Sequence, residues 1–171
     1  MERKHYVDNK SFYAALVEYQ KKCKEAEALG NPIPRIPEYI GMCILKIATK
    51  LSSKGNFVNY SFKEEMISDG IENSINYLNN FNPEKSNNPF AYFTRIIYNS
   101  YILRIQKEKK QTYIKYKAYE NAVLDGGTYE GEGTNIDVND NMNAFVLDYE
   151  TKLNEKKPAK KKGLEVFVDG D

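Results

Sequence analysis

Residues 65–110 read EMISDGIENSINYLNNFNPEKSNNPFAYFTRIIYNSYILRIQKEKK, and this stretch decides the fold. Met66, Ile67, Gly70, Ile71, Ser74, Ile75, Leu78 and Phe81 recur at helical spacing and form the inward side of one helix. Glu65, Asp69, Glu72 and Asn76 are left towards solvent. Upstream, SFKE from Ser61 has the form of a capping box and predicts the helix start, while Asn82-Pro83 predicts its end. The next helix opens with Asn88 as its cap and Pro89 at the first helical position. No breaker follows through Lys110, which is about six turns, and the helix can extend further to about eight. An acidic helix thus feeds through a proline turn into an aromatic and basic one. That order predicts a surface for a protein partner followed by a surface for nucleic acid.

Working outward, a first helix is expected from about Asn9 to Leu29, with Phe12, Leu16, Tyr19, Cys23 and Ala26 on one face and Gly30-Asn31 as its stop. NPIPRIP is an extended linker. A second helix from about Pro37 to Lys54 buries Ile40, Ile44, Ile47 and Leu51, and Gly55 follows as terminator. No alternation indicates a sheet, so residues 1–118 are read as a small all-α domain. Residues 119–141 contain DGGTYEGEGTNIDVNDN, with few apolar side chains, and are expected to form a flexible acidic loop. A short helix is expected at 142–155. Residues 156–171 read as a lysine-rich tether that ends in the apolar peptide LEVFV, an arrangement suited to reaching a partner's pocket.

The 171-residue chain suits one modest core with appendages, and its 29% charged content implies that part of it is not packed. The mean hydropathy of −0.67 agrees. A formal net charge of +1 conceals segregation: residues 85–117 carry eight Lys or Arg against the single acid Glu108, and residues 118–151 carry eight acids and no Lys or Arg. The local field is therefore the useful guide to partners. Cys23 and Cys43 lie in apolar helical patterns and read as buried reduced thiols, which fits a cytoplasmic protein. No apolar run approaches the roughly 20 residues needed to span a bilayer, and MERKHY is not followed by a signal-peptide core. Catalytic readings find little. His5 is the only histidine, and the glycines at 126, 127, 131 and 133 follow no strand. Two cysteines are too few for a structural zinc site, and the loop acids lack calcium-hand spacing. No enzyme activity, metal or cofactor is expected.

In a core of residues 38–110, with roughly a third of the chain matching by sequence pattern, the chain resembles region two of bacterial sigma factors, the subunits that direct RNA polymerase to promoters. Those proteins carry an Asp-Leu-x-Gln-Glu-Gly-like start, a Phe eleven residues after the Gly, and then an aromatic helix. Here these become Glu65-Met66-Ile67-Ser68-Asp69-Gly70, Phe81, and Phe90-Ala91-Tyr92-Phe93. The chain departs from the pattern at Ser68, where Gln is usual, in one extra residue between Phe81 and Phe90, and in having no Trp. Within that family it is most similar to the late-transcription sigma factors of large tailed bacteriophages, which also finish in a short hydrophobic and acidic clamp-binding peptide. The resemblance implies bacterial core RNA polymerase, promoter DNA, a phage sliding clamp and a second phage co-activator as partners, in the cytoplasm of an infected cell. It also implies a minimal factor that retains chiefly region two, with no second DNA-reading domain.

The resemblance assigns Glu65, Ser68, Asp69 and Glu72 to polymerase docking, with Asp69 at the most characteristic acidic position. It assigns Leu164, Val166, Phe167 and Val168 to the clamp. For DNA, Arg95, Arg104, Lys107, Lys109 and Lys110 can neutralise phosphates, and Tyr92, Phe93, Tyr98 and Asn99 can meet bases that leave the duplex. Stacking of an extruded base is worth about 1 to 3 kcal/mol, enough to favour melting of an AT-rich element. The plainer reading stands beside this one: Phe90, Phe93, Ile97 and Tyr101 have core spacing, a basic run is most often a solvated helix face, and LEVFV can fold back on the domain. A helical DNA-binding or scaffold protein that never meets polymerase is the alternative.

Overall fold

The computed structural model describes residues 6–124 and 136–155. All regular structure among them is helical: α1 (Asn9–Ala28), α2 (Glu38–Ser52), α3 (Lys63–Asn76), a single 3-10 turn (Leu78–Asn80), α4 (Pro89–Leu124) and α5 (Ile136–Glu155). Two compact units divide at Gln106 and Lys107, so α4 gives its first half to one and its second half to the other.

The first unit holds the core. Phe12, Leu16, Tyr19 and Cys23 of α1, Ile40, Ile44, Ile47 and Leu51 of α2, Met66 of α3, and Phe93, Ile97 and Tyr101 of α4 are buried together. Asp8 caps α1 by accepting from the amides of Lys10 and Ser11, and Gly30 ends it at φ +68°, a left-handed conformation open to glycine without strain. Pro37 precedes α2. At α4 the Asn88 side chain accepts from the Ala91 amide at 3.0 Å, as the sequence predicts. A second donor in that turn is met from far away, since Asn9 Oδ1 accepts from the Phe90 amide at 3.1 Å.

Helix α3 departs from expectation at both ends. Phe62 is the cap residue and no side chain caps the helix, so Ser61 lies outside it and the capping box does not form. Phe62 instead packs towards the core and contacts the Tyr60 ring at 5.0 Å, and that contact sets the entry of the chain. At the other end α3 stops at Asn76 and tightens into the 3-10 turn, which buries Leu78 and then Phe81. Buried Gln20 of α1 holds this turn, donating through Nε2 to the carbonyls of Leu78 at 3.2 Å and Phe81 at 2.8 Å.

The second unit pairs the end of α4 with α5. Tyr113 stacks on Tyr149 at 4.6 Å and Tyr116 meets the Phe145 ring edge-on at 5.5 Å. The first compact unit ends at Gln106, and Ile105 is the last α4 side chain in its core. The expected loop 119–141 is too long: residues 119–124 continue α4 and α5 begins at Ile136 rather than 142. Lys117 supports that continuation through an ion pair one turn on with Glu120 at 2.9 Å.

Candidate functional site

α3 and α4 run antiparallel, as three rungs show. Arg104 meets Asp69, Ser100 meets the Asn73 amide at 3.0 Å, and the Tyr92 hydroxyl donates to the Tyr77 carbonyl at 3.0 Å. Gly70 permits the close approach between them: a Cβ there would lie 3.0 Å from both Ile97 Cγ2 and Tyr101 Cε1. The acidic side of α3 then divides in two. Glu65, Ser68 and Glu72 are exposed. Asp69 is half-buried and gripped by Arg104, with Nε 2.7 Å from Oδ2 and Nη2 3.1 Å from Oδ1.

The aromatic helix divides likewise. Phe93 has no exposed surface and lies 5.4 Å from the Phe12 ring, so it is a core residue and cannot stack on a base. Tyr92 is half-buried against Phe81 and Phe93; burial, reinforced by Tyr77, pushes its hydroxyl above the ordinary range and keeps it a proton donor. Arg104, expected to face DNA, turns onto Asp69. Arg95, Tyr98 and Asn99 remain exposed, Tyr98 at 42%.

Arg95 and Tyr98 border an open, largely apolar cleft of about 600 Å³, whose other walls are Leu51 of α2, Lys54, Asn56 and Phe57 after it, and Asn88, Phe90, Ala91 and Thr94 at the α4 start. Phe57 forms its floor, buried and edge-on to Tyr98 at 5.6 Å. Aromatic walls with amide and hydroxyl groups suit a flat nitrogen heterocycle, and Lys54 and Arg95 suit its phosphates. The sequence reading missed Lys54, Asn56, Phe57 and Phe90 as wall residues. GNF at 55–57 reads locally as a terminator, and nothing in its spacing places it beside residue 98.

A second cleft of about 620 Å³ lies between α1 and the 3-10 turn, lined by Gln20, Cys23, Lys24, Glu27 and residues 79–84. The Gln20 amide is engaged there by backbone carbonyls. Cys23 and Cys43 are both free and buried, and burial pushes the Cys43 thiol up, which keeps it protonated and unreactive at neutral pH.

In the second unit Lys107, Lys109 and Lys110 are exposed. Beyond them the basic run is engaged: Lys117 lies 3.3 Å from Glu150, which also accepts from the Tyr113 hydroxyl at 2.9 Å. Those two bonds, Tyr113 first, hold the Glu150 carboxyl below its usual value. The proposed clamp contacts Leu164, Val166, Phe167 and Val168 lie outside the described residues.

Among the described residues no cluster of His, Cys, Asp or Glu could hold a metal ion, and no helix is long and apolar enough to cross a membrane. Comparison with known protein-family models finds no match, and no curated protein matches the sequence.

Proposed function

We propose that this chain is a sigma-type initiation factor for late phage transcription. In this reading it docks on bacterial core RNA polymerase through α3, engages a melting AT-rich promoter element through α4 and the cleft beside it, and reaches a sliding clamp through the peptide at 163–169. The observation that carries the proposal is the antiparallel α3–α4 pair. One helix exposes Glu65, Ser68 and Glu72, and the other exposes Arg95, Tyr98 and Asn99 at an aromatic cleft. Such a pair gives a protein partner and an unstacked base separate surfaces on one rigid support. Melting then follows from differential binding: a base held in the cleft gains stacking that it cannot have inside the duplex, and phosphate contacts hold the strand in place.

The test is a titration against bacterial core RNA polymerase, comparing the parent with Glu65→Lys and Glu72→Lys. These exposed positions reverse charge without disturbing packing. Asp69→Lys is a poorer probe, because it also sets a lysine against Arg104. Tight parent binding that weakens in the lysine variants supports the proposal. The engagement of Asp69 inside the fold favours a rival reading, a helical DNA-binding scaffold whose acids serve packing. Absence of parent binding to polymerase, with DNA binding retained, would select that rival.

A further inference from the structure

Arg104 and Asp69 were expected to serve different partners, yet they form one structure. Arg104 Nη2 donates to Asp69 Oδ1 at 3.1 Å, and Nε lies at ion-pair distance from Oδ2, 2.7 Å, so two guanidinium nitrogens face the two carboxylate oxygens. The Arg104 side chain is 17% exposed and that of Asp69 32%, so the cation lies beneath and the anion faces outward. A cation arriving from solvent meets the Asp69 carboxylate, which has acceptor positions beyond those that face Arg104. The support is stiff on either side, with Gly70 seated on Ile97 and Tyr101 one residue on, and Asn73 bonded to Ser100 a turn on.

We infer that Arg104 is a positioning residue of the α3 docking face and not a DNA contact: it holds Asp69 ready for a guanidinium or ammonium group of the polymerase. Resting on the function proposed above, this reassigns one cation from the nucleic-acid surface to the protein surface. Preorganisation raises affinity by removing the ordering cost from the binding step.

A double-mutant cycle tests it, with Asp69→Asn and Arg104→Gln made singly and together. Affinity for core polymerase is measured where circular dichroism shows every variant folded, and the salt dependence of DNA binding is measured beside it. If Arg104 acts through Asp69, Arg104→Gln weakens polymerase binding about tenfold, the effect of one mid-sized contact. The double variant then binds no more weakly than Asp69→Asn, and the DNA salt slope stays at the parent value. Losses that multiply, a salt slope reduced by about 0.9, or unchanged polymerase affinity in Arg104→Gln would each overturn the inference. Should Arg104→Gln fail to fold, Arg104→Lys keeps the charge, loses the pair of nitrogens that faces Asp69 and carries the same expectations. A parent chain that does not bind polymerase overturns the proposed function and this inference together, whereas a parent that binds alongside an indifferent Arg104→Gln overturns the inference alone.

Discussion

At position 70 the absence of a side chain decides how closely α3 and α4 approach. An added methyl would meet Ile97 and Tyr101 at 3.0 Å, and Tyr101 cannot swing aside because its hydroxyl donates to the Ala48 carbonyl at 2.8 Å. Overpacking of this kind costs about 1 to 3 kcal/mol, against about 1 kcal/mol regained in helix propensity. Gly70→Ala should therefore destabilise the first unit by up to about 2 kcal/mol, seen as a lower urea midpoint at unchanged slope. A midpoint above the parent's would mean that the helices separate easily. Gln20 has the same standing in α1. Gln20→Leu leaves carbonyls of the 3-10 turn without their donor, and a loss of about 1 to 3 kcal/mol is expected in the same unfolding measurement. The sequence marked position 70 as inward-facing by its spacing, but gave Gln20 no role, since its partners lie about sixty residues away. Phe93 shows the same limit. On a helix with aromatics at 90, 92, 93, 98 and 101, both core and base-contact assignments were open until Phe12 of α1 was seen against it.

The four main helices were legible in their apolar periods, because each period is a local pattern that one buried face imposes. What escaped was whatever depends on a distant partner. The start of α3 is set by Phe62 packing, and α5 is long because Phe145 and Tyr149 meet Tyr116 and Tyr113, while its own sequence is largely acidic and amide-rich. That pairing should depend on pH. The Glu150 carboxyl lies below its ordinary value of 4.5 through the Tyr113 hydroxyl and then Lys117, so its contribution is fully present above that value and is lost as pH falls through the folded one. Hydrogen exchange of α5 amides, corrected for intrinsic rates, should show weaker protection on acidification below about pH 4.5 than at neutrality. Glu150→Gln should flatten the change, and an identical profile in that variant would assign the effect to other groups. Earlier on α4, Lys107, Lys109 and Lys110 stand clear of the α5 contacts described. Under the proposed function, replacing all three by Gln should reduce the DNA salt slope by up to about 2.7, near 0.9 for each phosphate released. An unchanged slope would remove them from the DNA surface.

For the whole molecule the governing feature is charge laid out by segment. The chain carries a basic run at 85–117, an acidic run at 118–151 and a lysine-rich stretch before LEVFV, while its formal net charge is only +1. Long-range attraction to DNA is then weak under the proposed function, and local surfaces must supply the binding. Under the proposed function, a clamp-binding peptide answers that need. A clamp already loaded on DNA, held through residues 163–169, turns promoter encounter into an event at an effective concentration set by the tether. The gain depends on linkage and not on any new contact at the promoter. Deleting residues 163–171 should accordingly leave basal transcription from an AT-rich promoter intact and abolish its stimulation by loaded clamp. Point changes should grade the effect: Phe167→Ala removes the largest apolar side chain of the peptide and should forfeit most of the stimulation, while Glu165→Gln should forfeit less. Run-off transcription with and without loaded clamp measures both arms in one assay. Equal loss of basal and stimulated transcript on deletion would tie the peptide to the helical units instead, and the tether would then have no part in recruitment.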